Sequence, residues 1–143
     1  MLLLAMAFGS CQQDLSINTT SIAGNWFVNK SELIDATSIN DELFTSVNTK
    51  NFDVYNLKAG NMILKISETQ KLNDYFVILY TYDGSKWVNT RQEQVHLSAQ
   101  NKFSFYGNPA KISNLNSTKL TIKVQIANEF FRHTLERTTI NPS

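Results

Sequence analysis

The chain has 143 residues, 42% hydrophobic and 17% charged, which is enough for one globular domain with its own core and too short for two typical domains. Its 13 basic and 12 acidic residues give a formal net charge of +1 without runs of either sign, so charge gives no support to a nucleic-acid partner. The single cysteine excludes an internal disulfide and a cysteine-rich zinc site.

The N-terminal segment is an apolar run that ends in small residues and a cysteine. Residues 1–11 have the sequence MLLLAMAFGSC, and the chain then turns polar at Gln12. The run is too short to cross a bilayer as a helix, and it resembles the signal segment of bacterial lipoproteins, in which Cys11 would be acylated. Three acyl chains, at roughly 0.8 kcal/mol per buried CH₂, would anchor the protein in a membrane. The alternative is a buried N-terminal element with a structural cysteine.

This resemblance implies an outer-membrane lipoprotein that faces either the periplasm or the cell exterior. Residues 1–11 would be the signal segment, and residues 12–20 a polar tether to the folded domain. The segment lacks the basic residues that usually begin a signal peptide, so we expect the true start codon to lie upstream.

The predicted folded domain covers residues 21–140 and opens with a strand that contains Gly24 and Trp26. A bulky indole early in a strand is typical of a residue that fills one end of a core, and a glycine beside it permits close approach. A short helix is predicted next, because one set of apolar residues has helical spacing after a capping-box-like start at Ser38. These apolar residues are Ile39, Leu43, Phe44 and Val47.

The remaining sequence alternates between apolar and polar residues and predicts strands joined by short turns, with Asp83 and Gly84 as a hairpin signal. The predicted strands are Phe52 to Asn56, Met62 to Ile66, Tyr75 to Tyr82, Lys86 to Val88, Arg91 to Ser98, Lys102 to Tyr106, Lys119 to Ile126 and Phe130 to Thr138, with Ala110 to Ser113 as a short edge piece. We therefore expect an all-β antiparallel up-and-down meander. Closure into an eight-stranded barrel would remove exposed edges, and a more open sandwich or half-barrel is the alternative.

The Gly24-Asn25-Trp26 motif, the meander and a basic residue in the last strand together resemble the lipocalin-like, or calycin, proteins. In particular, the chain resembles the small lipocalin-like lipoproteins of Gram-negative bacteria over about residues 22–138. The resemblance implies an eight-stranded barrel with Trp26 at its closed end. It also implies that Arg137 lies across the indole in a cation–π contact, with Arg132 as the second candidate.

The sequence contains no pattern that indicates catalysis. His96 and His133 are not at metal-ligand spacing, and we expect both at the surface or rim. Walker, Rossmann and G-x-S-x-G patterns are absent, and the spacing of the carboxylates does not indicate a catalytic pair. We therefore expect no catalytic residue, no metal and no cofactor. A hydrolase of the envelope would need acidic or histidine residues gathered in one cleft.

Aromatic residues in the central strands could line a site for a small apolar ligand held in the mouth of the barrel. Tyr80, Trp87 and Phe105 are the candidates, although such residues could equally fill a solid core. By analogy with the fold, we expect a lipid-anchored barrel that binds its ligand without catalysis. The alternative is a protein-interaction module of the envelope, such as an inhibitor, an immunity protein or an assembly protein, with a filled barrel.

Overall fold

The computed structural model of the chain describes residues 21–40, 45–48 and 60–143. Within these ranges the chain forms nine β-strands and no helix. The strands are β1 Gly24–Asp35, β2 Thr45–Asn48, β3 Met62–Glu68, β4 Asp74–Tyr82, β5 Trp87–His96, β6 Lys102–Phe105, β7 Asn108–Leu115, β8 Lys119–Ile126 and β9 Glu129–Arg137.

Eight of these strands form a nearly closed antiparallel barrel. Their order is β5-β4-β3-β1-β9-β8-β7-β6, and β1 pairs with β9 so that the two ends of the meander lie side by side. In the described chain, β5 and β6 are the two ends of this order and share no backbone ladder. The prediction of an all-β, eight-stranded up-and-down meander is confirmed, and the architecture is compatible with a lipocalin-like fold.

The short helix predicted from Ile39 to Val47 is wrong where the structure tests it. Residues 45–48, which include Val47, form β2 and pair with Leu33–Asp35 at the end of β1. In β1 only Gly24–Phe27 pair with β3, so one edge of the later part of β1 is available for pairing with β2. Pairing of those backbone groups therefore outweighs the helical spacing of the side chains. Residues 41–44 and the strand predicted from Phe52 to Asn56 lie outside the described residues.

Within the eight-stranded barrel, three strands each contain one extra residue that has no cross-strand partner in the ladder. In β7, Ile112 pairs with Ile122 and Asn114 with Thr121, which leaves Ser113 between them. The same irregularity falls at Asn29 in β1 and Thr90 in β5. Such β-bulges shift the inward-facing positions by one residue.

The bulges explain two incorrect strand boundaries. The two pieces predicted before and after Thr90 are one strand, β5, because the bulge interrupts the alternation but not the strand. The piece predicted as a short edge from Ala110 to Ser113 is the full strand β7, which lies between β6 and β8.

Apolar side chains at the inward positions fill the barrel. Trp26, Val28, Leu64, Leu79, Leu120 and Leu135 are the most deeply buried members of this core, at 0% to 1% exposure. Burial is not confined to the inner face, since Ile63 and its cross-strand partner Tyr80 are also buried although they point outward. The interior is therefore a packed core over most of its length.

Candidate functional site

Gly24, Trp26 and Arg137 form a cluster at one end of the barrel. The guanidinium carbon of Arg137 lies 4.2 Å from the centre of the Trp26 ring, which is the cation–π contact that the resemblance implies. The indole nitrogen of Trp26 donates to the carbonyl of Ile22 at 2.8 Å. A Cβ atom on Gly24, whose φ is +141°, would collide with the Arg137 guanidinium. Glycine is therefore what permits the arginine to lie over the tryptophan.

Arg137 also holds the segment before β1 across the end of the barrel. Its guanidinium donates to the carbonyl oxygens of Ser21 and Ala23, both at 2.9 Å, and to that of Ser117 at 2.8 Å. Arg132, the second candidate, is elsewhere: it faces outward and donates to the Glu32 carboxylate at 2.9 Å. The structure thus brings together Gly24, Trp26 and Arg137, and the hydrogen bonds of Arg137 fix the position of residues 21–23.

Beside this cluster, the same end of the barrel carries an open cleft of about 630 Å³, here called the mouth cleft. Its walls come from the segment before β1, the β3–β4 and β5–β6 connections and the end of β7. Buried or half-buried side chains form its floor: Ile22, Tyr75, Leu97, Ile112 and Leu115. The residues of its rim are nearly all polar, and all are exposed except the half-buried Asn101 and Ser113: Ser21, Glu68, Asn73, Ser98, Ala99, Asn101, Ser113 and Asn114. This volume falls within the range that small-molecule sites occupy.

Among the described residues that line the mouth cleft, Glu68 is the only one with a formally charged side chain. Its carboxylate accepts a weak hydrogen bond from the Ser21 hydroxyl at 3.5 Å. Tyr75 is its cross-strand partner, and burial together with the negative charge of Glu68 raises the pKa of the Tyr75 phenol. The tyrosine therefore remains a neutral donor and acceptor at physiological pH.

Beneath the floor there is an apolar void of only about 20 Å³. It shares Ile22, Tyr75, Leu97 and Ile112 with the mouth cleft, and Phe105 lines its inner side. A space of this size is close to that of one water molecule, and its lining offers no polar partner. It is far too small for the small apolar ligand that the sequence suggests.

The three residues predicted to line a ligand site do not meet in one cavity. Phe105 belongs to the core, whereas Tyr80 points outward and is buried against Ile63. Trp87 also lies on the outer face, where its ring centre is 5.2 Å from that of Tyr82. Alternation within β4 could have assigned Tyr80 to the outer face, because its neighbour Leu79 is an obvious core residue.

The two histidines have different environments. The side chain of His96 is 64% exposed, at the surface as expected, and its Nδ1 lies 2.5 Å from an Asp74 carboxylate oxygen. His133 is only 1% exposed, so its expected surface position is wrong. It occupies an inward position of β9 and its Nδ1 is hydrogen-bonded to the Ser31 hydroxyl at 2.8 Å. Burial lowers the pKa of His133 from 6.5 to about 3, and the imidazole is neutral at physiological pH.

A group of side chains that the sequence did not single out bridges β5 and β6. The Arg91 guanidinium carbon lies 4.2 Å from the Tyr106 ring centre, and the Glu93 carboxylate accepts the Tyr106 backbone N–H at 2.7 Å. Burial raises the pKa values of both Glu93 and Tyr106. Tyr106 and Gly107 form the turn after β6, with positive φ of 51° and 84°; the glycine predicts that turn, but it does not predict the contacts of Tyr106 with β5.

Comparison with protein-family models and with curated proteins found no match for this chain. Within the described residues, no helix has the length and apolar character needed to span a bilayer. The same part of the chain contains no group of three or more His, Cys, Asp or Glu side chains that could hold a metal ion. Cys11 lies outside the described residues. The function is therefore inferred from the geometry of the barrel and its mouth cleft.

Proposed function

We propose that this protein is a lipid-anchored, lipocalin-like binding protein of the bacterial envelope, and that it holds a small amphipathic molecule in the mouth cleft. The observation that carries this proposal is the cleft itself: about 630 Å³ of space, with an apolar floor and a polar rim. Concave sites that combine apolar surface with a few polar groups are typical of small-molecule binding.

The proposal places the ligand at the mouth and not within the barrel. The void beneath the floor is about 20 Å³, which leaves no room for an organic molecule among the packed side chains. Apolar atoms of the ligand would instead contact the floor at Leu97 and Leu115, both of which are half-buried. Burial of apolar surface contributes about 25 cal/mol per Å², so even a partly covered ligand gains affinity there.

Native mass spectrometry of the full chain, purified from its host, tests this function with two variants. Ala99 lines the mouth cleft, and Gln100 in the same turn does not, although both are exposed. An indole introduced by Ala99→Trp should occupy the cleft and abolish a stoichiometric small-molecule adduct, whereas Gln100→Trp should retain it. A wild-type protein without any adduct, or an adduct that persists in Ala99→Trp, contradicts the proposal.

The lipid anchor at Cys11 is a second component of this proposal, and its support is the apolar run of residues 1–10 with Gly9 and Ser10 before the cysteine. Metabolic labelling with an alkynyl fatty acid in a Gram-negative host should label the wild-type chain in the membrane fraction. Cys11→Ser should remove the label and release the protein. A labelled Cys11→Ser chain would contradict acylation at this residue.

Protein binding is the second candidate function, and the outward-facing Tyr82–Trp87 pair supports it. Tyr82 is 40% exposed and its ring contacts Trp87 at the tip of the β4–β5 hairpin. Exposed aromatic side chains of this kind are common anchors of protein interfaces. A photo-crosslinking amino acid at Tyr82 should then capture one envelope protein in the host, while the same group at the exposed Asn116 should not. Equal crosslinking from both positions would count against this function.

A further inference from the structure

We infer that the ligand of the mouth cleft carries a protonated amine that binds to Glu68. This inference rests on the proposed binding of a small molecule in the cleft and specifies the chemical class of that molecule. Glu68 and Tyr75 face each other across the β3–β4 ladder and both line the cleft. A carboxylate and an aromatic ring side by side are the two groups that attract an ammonium ion most directly.

The Glu68 carboxylate is available to a ligand. In the part of the chain that the structure describes, Glu68 has no basic partner, and its hydrogen bond from Ser21 is at the long limit of 3.5 Å. The two basic residues nearest to it along the chain have other partners: Lys65 donates to the Ser143 hydroxyl at 3.2 Å, and the Lys71 ammonium lies 3.9 Å from the Asp74 carboxylate. Arg137, at the same end of the barrel, donates to three backbone carbonyls instead.

Charge in the cleft therefore discriminates between classes of ligand. An anionic ligand would be repelled by Glu68, which carries the one formal charge among the described residues of the lining. A neutral ligand that covered Glu68 would desolvate the carboxylate without supplying a charged partner, which is unfavourable. An ammonium group compensates for the lost water, and its remaining donors find acceptors in the amide oxygens of the rim, at Asn73 and Asn101.

The apolar residues of the cleft floor indicate the chemistry of the rest of the ligand. Ile22, Tyr75 and Leu97 lie behind Glu68 and provide apolar and aromatic surface. The matching molecule has a small apolar body and one primary amine at its edge. Such a molecule satisfies the carboxylate and the floor together, whereas a purely apolar molecule satisfies only the floor.

Three probes of nearly equal shape test the inference: cyclohexylmethylamine, cyclohexylmethanol and cyclohexanecarboxylate. Each is titrated at pH 7 into the isotope-labelled full chain carrying Cys11→Ser, with binding followed by the backbone amide shifts of Tyr75 and Leu97. We expect the amine to bind at least tenfold more tightly than the alcohol, and the carboxylate to bind most weakly.

Two glutamate variants provide the matched comparison. Glu68→Gln should weaken amine binding at least tenfold and change alcohol binding less than twofold. Glu129→Gln, at an exposed glutamate outside the cleft lining, should change neither. An alcohol that binds as tightly as the amine, or an amine preference that survives in Glu68→Gln, overturns the amine inference but leaves binding at the cleft intact. Failure of all three probes to shift Tyr75 and Leu97 overturns the amine inference and counts against binding at the cleft itself.

Discussion

Two arginines, Arg137 and Arg91, each place the guanidinium carbon 4.2 Å from an aromatic ring centre, but they close different seams of the barrel. Arg137 lies over Trp26 where β9 and β1 form a backbone ladder. Arg91 lies over Tyr106 between β5 and β6, which share no ladder in the described chain. The cation–π contact therefore adds to backbone pairing between β1 and β9, whereas between β5 and β6 it links strands that do not pair.

The two seams differ in how many backbone hydrogen bonds hold them. At the β1–β9 seam, backbone pairing extends from Trp26 to Ile34, and three further hydrogen bonds hold Arg137. At the β5–β6 seam, the side chains of Arg91 and Glu93 provide the connection to Tyr106. Local opening has a lower free energy where few backbone bonds must break. We therefore expect amide exchange to be slow along β1 and β9 and faster along β5 and β6.

Trp26→Ala should have the largest effect on stability. Trp26 is 0% exposed, and loss of a buried tryptophan costs about 3–5 kcal/mol through lost burial and the cavity that remains. Trp87→Ala is the matched control, because Trp87 is half-buried on the outer face and should cost about 1 kcal/mol. Urea unfolding at pH 7.5 measures both. Equal losses from the two tryptophans would show that the β1–β9 seam is not the stable one.

His133 should make the stability of the β1–β9 seam depend on pH. Its pKa is about 3 in the folded protein and 6.5 when exposed, so below pH 6.5 the unfolded chain binds a proton that the folded chain does not. Stability is then highest above pH 6.5 and falls as pH falls towards 3. Between pH 7.5 and 4.5 the loss should be about 2–3 kcal/mol.

His133→Gln provides the control for this pH dependence. Glutamine can still hydrogen-bond to Ser31 but does not titrate, so the unfolding free energy of the variant should fall by about 2–3 kcal/mol less than that of the wild type over the same pH range. The difference between the two proteins removes the contribution of the carboxylates. Parallel pH profiles for the wild type and His133→Gln would refute burial of a neutral imidazole.

Gly24→Ala should lower the free energy of unfolding by about 2 kcal/mol. An alanine is strained at the φ of +141°, and its Cβ would displace Arg137 from Trp26. Gly84→Ala separates these two causes. Gly84 also has a positive φ, +104°, but a Cβ there meets no atom within 4 Å. We expect the second variant to lose only about 1 kcal/mol in urea unfolding. If Gly84→Ala loses as much as Gly24→Ala, the approach of Arg137 contributes nothing to the seam.

The sequence is most informative where alternation is uninterrupted. β8 has four inward apolar residues from Leu120 to Ile126, and its boundaries agree with the prediction. The contact between Trp26 and Arg137 could be anticipated from the resemblance, because a short motif fixes one partner and the last strand supplies the other. Local pattern and global pairing agree in these elements.

Prediction failed where one residue changes the register or where distant segments meet. The bulge at Asn29 changes the inward register of β1 and places Ser31 opposite His133, a pairing that no local pattern reveals. A ligand at the barrel mouth could be suggested from the sequence, but the residues that line the mouth cleft could not, because Glu68 and Asn114 are far apart in the chain and line one cleft only in the folded barrel. The contacts of Tyr106 were not predicted either, because its partners, Arg91 and Glu93, belong to β5.

Tyr106→Phe should have the smallest effect, and it tests the weaker seam most directly. The Tyr106 hydroxyl is buried and makes no hydrogen bond among the described residues, so its removal should leave the free energy of unfolding within about 0.5 kcal/mol or raise it slightly. Tyr106→Leu removes the ring as well, and with it the contacts to Arg91 and to Phe105, whose ring centre is 4.4 Å away. That variant should lose about 1–2 kcal/mol and exchange its β5 and β6 amides faster.

If Tyr106→Phe instead loses more than about 1 kcal/mol, the hydroxyl is part of a polar network. The β5–β6 seam would then be held by hydrogen bonding and not by the stacking of Arg91 on an aromatic ring.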